Sequence, residues 1–108
     1  MTPDKNFIVI FITTKDTAQA ETIAQELLAQ KLIACANIVP AIKSLFWWEG
    51  KIDSSNEALL VLKTLKKSFP RVTKSVKALH SYSVPEIIAL PIVAGQQDYL
   101  KWVEESVR

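Results

Sequence analysis

Two runs constrain this chain most. FIVIFITT (Phe7–Thr14) and EALLVLKT (Glu57–Thr64) read as strands, and neither alternates apolar with polar residues. In the first, Phe7, Val9 and Phe11 fall on one side while Ile8, Ile10 and Ile12 fall on the other. In the second, Leu59 and Val61 oppose Ala58, Leu60 and Leu62. A sheet built from such strands is apolar on both faces, so something must cover each of them.

The remaining segments say what surrounds that sheet. After the first strand, Asp16 offers an N-cap with Gln19 three residues on, as in a capping box. Ala20, Ile23, Ala24, Leu27 and Leu28 then follow at helical spacing, and the helix ends near Lys31. Leu32 to Trp48 predicts a long second strand with an irregularity at Pro40, because proline cannot donate to a ladder. Glu49-Gly50 is a turn, and Lys51 to Leu65 returns as the third strand. Ser68 is placed to cap a second helix with Pro70 in its first turn. Phe69, Val72, Val76 and Leu79 mark that helix's apolar face. Glu86 to Val93 is a fourth strand, and a last helix turns Tyr99, Leu100, Val103 and Val107 inward.

The order β-α-β-β-α-β plus a C-terminal helix is an α+β, ferredoxin-like arrangement in a single domain spanning 1–108. Right-handed crossovers put both long helices on one face of the sheet. The final helix is all the chain has left for the other face. The hairpin of strands two and three, about 15 residues a side, overhangs its own domain. We therefore expect an oligomer in which sheets of several copies pack together.

Composition excludes several functions. The two glycines, Gly50 and Gly95, stand 45 positions apart, so no GxxxxGK[ST] or GxGxxG phosphate loop exists. No CxxC and no HExxH occurs. The formal charge of +2 is too small to imply nucleic acid, although Lys63, Lys66, Lys67, Arg71, Lys74 and Lys77 hold six of the thirteen cations. An RNA-recognition module shares this strand order but stacks bases on exposed aromatics of its first and third strands, and the third here, EALLVLKT, has none. The longest uncharged run, Leu32–Ile42, is too short to span a bilayer. We thus expect neither a nucleic-acid nor a membrane partner. One cysteine precludes an intrachain disulfide. Asp4 precedes an apolar run of only six residues, which does not read as a secretory signal, so a cytoplasmic protein is expected.

Few residues are candidates for chemistry. Cys35 lies in the apolar run LIACANI; it is a small hydrophobe, or else a soft ligand or reactive thiol in a basic setting that Ile33, Ala34 and Ala36 do not supply. His80, the only histidine, ends the second helix, where the dipole favours an imidazolium; the alternatives are a metal ligand or an acid–base group. Neighbouring Ser81 and Ser83 lack an orienting carboxylate or oxyanion hole, so no catalytic set is expected. In FWWEG the adjacent tryptophans point to opposite faces, one to a subunit contact or ligand wall and the other to ordinary packing.

Four blocks then carry a resemblance: KLIACANIVPAIKSLFWWEGKI (31–52), E-x-L-L-V-L-K-T (57–64), LHSYSVPEIIALPI (79–92) and YLKWV (99–103). In order and spacing they closely resemble the CutA family of divalent-cation tolerance proteins. That resemblance implies a ferredoxin-like homotrimer similar to PII-type signalling proteins, with hairpins reaching across neighbours. It implies a role in tolerance of divalent metals, copper (Cu2+) among them, without catalysis. Candidate metal ligands are His80, Cys35 and Glu86. The resemblance further implies a cleft between subunits lined by Trp48, Glu57, Lys63, His80, Tyr82 and Glu86, suited to a metal ion or a small anion. Where the family's loop runs H-P-Y-E-V-P-E, this chain has Ser81 and Ser83. The alternative is an adaptor whose assembled surface meets a protein partner.

Overall fold

A computed structural model describes residues 6–108; Asp4, which figured in the signal-sequence argument, lies outside the described residues. The elements are β1 (Phe7–Thr14), α1 (Thr17–Ala29), β2 (Cys35–Trp48), β3 (Lys51–Leu65), α2 (Phe69–Leu79), β4 (Ile87–Pro91) and α3 (Gln97–Ser106), with a short 3-10 turn at Lys66–Ser68. The four strands form one sheet in the order β2-β3-β1-β4, every neighbouring pair antiparallel. This is the α+β, ferredoxin-like arrangement the element order implies.

Period-2 patterning sorts the sheet's two faces. Ile8, Ile10 and Ile12 of β1 and Ala58, Leu60 and Leu62 of β3 are buried under α1 and α2, which contribute Ala20, Ile23, Leu27, Val72 and Val76. On the opposite face α3 covers one end only, where Leu100, Val103 and Val107 pack on Phe7, Ala34 and Leu65. The rest of that face stays open. Val9, Phe11, Leu59 and Val61 are only partly covered, and Ile88 and Leu90 are exposed.

The helix starts diverge from each other. Asp16 caps α1 as its sequence suggests, its Oδ1 accepting the Gln19 amide at 2.8 Å. Gln19 reaches back to the Lys15 amide at 3.3 Å, one residue before the cap. Ser68 does not cap α2. It ends the 3-10 turn in helical conformation (φ −83°, ψ −13°), and its hydroxyl makes no cap bond and is buried without a partner. An N-cap needs extended backbone, which Ser68 lacks.

Three expectations about limits also change. β2 begins at Cys35 rather than Leu32, because Lys31 takes a left-handed turn (φ 57°) and Leu32–Ala34 are buried. Leu32 serves the packing there, its carbonyl accepting the buried Thr64 hydroxyl at 2.6 Å. β4 is confined to Ile87–Pro91. Leu79 and Tyr99, expected inward, are 38% and 40% exposed because each lies at the edge of its helix's buried stripe.

Candidate functional site

The β2–β3 hairpin builds the site. Its two-residue turn, Glu49-Gly50, has positive φ at both positions (50° and 78°), the twist that matches paired strands. The turn fixes the register Trp48↔Lys51, Phe46↔Asp53 and Ser44↔Ser55. Further along, the register shifts between Val39 and Ile42, around Pro40. That bulge inverts the alternation of β2. Cys35, Asn37 and Val39 lie opposite Lys63, Val61 and Leu59 on the open face, and after the bulge Ile42, Ser44, Phe46 and Trp48 share that side. Trp48 rather than Trp47 is therefore turned toward the body of the chain.

Where the hairpin curls over the end of β1, an open cleft of about 780 Å³ forms. Phe46 and Trp48 of β2 supply one wall, Asp53 and Glu57 of β3 a second, and Tyr82, Ser83 and Glu86 of the loop before β4 a third. The floor is made by a relay of hydrogen bonds. His80 Nε2 lies 2.8 Å from the Thr13 carbonyl, and its Nδ1 accepts the Tyr82 amide at 3.0 Å. A ring that accepts at Nδ1 and donates from Nε2 is the neutral Nε2–H tautomer, assigned from the hydrogen-bond network. The imidazolium expected from helix-end position is thus not the form this geometry holds. His80 is buried and packs against the Tyr82 ring at 4.7 Å between centroids. Tyr82 in turn donates its hydroxyl to Glu57 Oε2 at 2.7 Å. Burial, then the Glu57 hydrogen bond, then the charges of Glu57 and Asp16 push the Tyr82 phenol up to about 12. The cleft floor is thus a protonated phenol holding a buried carboxylate, Glu57 being only 9% exposed.

Of the residues expected in a cleft, Trp48, Glu57, Tyr82 and Glu86 line this one, and His80 stands directly behind Tyr82. Lys63 does not join them within one chain. It lies six positions along β3 from Glu57, about 20 Å away at strand spacing, and opposite Cys35. There its ammonium donates to Asn37 Oδ1 and approaches Cys35 Sγ at 3.9 Å. Tyr99 of α3 hydrogen-bonds the same sulfur, and burial first, then this cysteine, raises its phenol above its ordinary value. Cys35 accordingly has the basic neighbour that its sequence neighbours lack; cross-strand register supplies it.

The candidate metal ligands are dispersed. Cys35 sits at the α3 end of the open face and Glu86 on the cleft rim, while both nitrogens of His80 are engaged. Among the described residues no group of three His, Cys, Asp or Glu side chains could hold a metal ion. A metal site of this chemistry does not fit within the described residues of one chain. Phe46, Asp53, Ser44 and Ser55 are cleft residues that sequence reading missed. Counting back by twos from the turn would have placed them beside Trp48 and Glu57. Neither tryptophan is in a core: Trp47 is 74% exposed and Trp48 60%.

Comparison with known proteins gives one answer. The chain is 48% identical over 98 residues to the divalent-cation tolerance protein CutA of Archaeoglobus fulgidus, covering 91% of this chain and 95% of that protein. It is 44% identical over 101 residues to the chloroplastic protein CutA 1 of Oryza sativa, covering 94% of this chain and 57% of the rice protein. The chain therefore spans little more than half of that plant relative. Two solved structures superpose closely. CutA1 from Oryza sativa gives a TM-score of 0.94 at 41% identity, covering 99% of this chain and 98% of that one. The periplasmic divalent cation tolerance protein CutA from Archaeoglobus fulgidus gives 0.92 at 45% identity, covering 94% and 99%. The family model for CutA1 divalent ion tolerance protein matches residues 8–106. The chain belongs to the CutA1 divalent ion tolerance protein family.

Proposed function

We propose that this protein is a homotrimeric, non-catalytic binding module in the cellular response to divalent cations, copper among them, and that it works in the cytoplasm. The observation that carries this reading is the open face of the sheet. Val9, Phe11, Leu59, Val61, Ile88 and Leu90 form an apolar surface that α3 leaves uncovered, and the overhanging hairpin exposes Leu45, Trp47 and Ile52 besides. A single soluble chain rarely carries such a surface, whereas closed assembly of identical copies buries it. Cation response is supported by the family's character. Among the described residues no helix is long and apolar enough to cross a membrane. Because one chain gathers no metal-holding group among its described residues, donors from more than one copy are required for a metal to be held.

Calorimetric titration of Cu2+ and Zn2+ into the assembled protein tests the cation role. Binding tighter than about millimolar is expected, and none at that level contradicts it. A second reading, an adaptor that presents its surface to a protein partner, draws on the exposed hairpin end with Trp47 and Leu45. It predicts that titrated metals do not bind while association of copies persists.

A further inference from the structure

The helix layer, on the other side of the sheet from the open face, carries a charged surface of its own. Lys66, Lys67, Arg71, Lys74 and Lys77 are all exposed on α2 and the 3-10 turn that leads into it. No acid lies between Glu57 and Glu86 in the sequence, and none stands in the first turn of α2. Arg71, Lys74 and Lys77 step along one flank of the helix, with Lys67 a turn ahead of Arg71. The fold extends this stripe at its start. The Arg71 guanidinium donates to the Arg108 main-chain oxygen at 3.5 Å, and the Arg108 amide donates to the Lys31 carbonyl at 2.9 Å. Lys31 and Arg108, both with exposed side chains, are thereby held at the Arg71 end. The acids near that corner in sequence include Glu26, which takes the Gln30 side-chain amide at 2.6 Å, and Glu104, which is engaged as well.

This arrangement runs against local electrostatics. A helix start carries partial positive charge and favours acids. α2 instead surrounds its start with Lys66, Lys67 and Arg71, and Ser68 supplies no cap bond. Like charges along one helix flank repel one another besides. A local rule broken this way, with no acid inside the stripe to offset it, marks a surface kept for an anion. The shape of the stripe then selects among anions. From Lys67 to Lys77 it runs about 15 Å at helical rise along a convex face, more than one phosphate-sized group can engage. Single-stranded nucleic acid binds by stacking on aromatics, whereas the exposed large apolar side chains of α1 and α2 are Leu28 and Leu79. Four of the five cations are lysines, point charges without the fork that suits phosphate. An extended chain of carboxylates matches both the length and the charge.

We infer that the outer flank of α2 docks an extended acidic polypeptide segment of a partner protein, its carboxylates paired with Lys67, Arg71, Lys74 and Lys77. This surface lies beyond the cation-response role and uses neither the cleft nor the open face. That it stays exposed in the assembly rests on the open face being the interface, which turns the helix layer outward.

Fluorescence anisotropy on the native protein tests it, with labelled oligoglutamate, oligoglutamine and oligothymidylate of equal length as probes. Oligoglutamate is expected to bind at about millimolar or tighter at low salt and to weaken at least about tenfold as salt rises to about 1 M. Oligoglutamine is expected not to bind. Lys67→Gln, Lys74→Gln and Lys77→Gln together, which leave the Arg71 contact with Arg108 in place, are expected to weaken oligoglutamate about tenfold. Lys15→Gln, Lys51→Gln and Lys101→Gln together remove the same charge from exposed positions off α2 and are expected to change affinity by less than about threefold. No oligoglutamate binding, or an equal loss in the two triple variants, overturns the proposal. So does tighter binding of oligothymidylate, which would make the stripe a nucleic-acid surface. Native mass spectrometry of the same samples reads the assembly separately, so loss of docking and loss of the interface are distinguishable.

Discussion

At the scale of single residues, three side chains give decisive tests. Ser68 looks like a cap in the sequence, yet its hydroxyl is buried without a partner. Ser68→Ala should therefore leave the melting temperature unchanged or raise it, since removing an unsatisfied hydroxyl relieves a cost. A true cap would lose about 1 kcal/mol. Asp16, whose cap bond is made, is the contrast: Asp16→Ala should cost about 1 kcal/mol in denaturant unfolding. Tyr82 gives the pH test. Its folded value of about 12 lies above the ordinary 10, so its contribution to stability is whole below pH 10 and is lost as pH climbs to about 12. Ultraviolet titration should show a tyrosine ionising near 12, and Tyr82→Phe should remove that phase.

At the scale of elements, the long hairpin governs both fold and site. Its turn holds Glu49, a residue with a full side chain, at φ 50°. Asn tolerates that region better, so Glu49→Asn should raise thermal stability by up to about 1 kcal/mol. Much of this architecture was legible in the sequence. β1 was marked by a β-branched and aromatic run and β3 by a leucine-rich one, each apolar on both faces, and the bulge by Pro40 in an otherwise apolar strand. The cleft was half legible. Tyr82 and Glu86 lie four residues apart in one loop, whereas their meeting with Glu57 depends on how β3 lies beside β1. Cys35 shows why the rest was hidden. Its basic neighbour, Lys63, is 28 positions away and reaches it only through the cross-strand register. The Ser68 error has a local cause: nothing in KKSF announces the 3-10 turn that carries serine into helical conformation.

At the scale of the whole molecule, one sheet has two unlike faces. One is buried by α1 and α2; the other is covered by α3 only at the Phe7–Leu65 end. The body measures 46 × 26 × 22 Å, the long axis reflecting strands of 14 and 15 residues. A shape so elongated, with apolar side chains along one face and at the hairpin end, accounts for itself if other copies lie against it. A charge placed on that face should weaken the assembly while sparing the core: Val61→Lys is expected to dissociate copies while α1 and α2 stay packed, read by sedimentation together with circular dichroism. The central claim, that the open face is an interface between identical chains, is tested most directly by native mass spectrometry of the unmodified protein at micromolar concentration. The account predicts a single species of three 12.1 kDa chains; a clean 12.1 kDa monomer would contradict it.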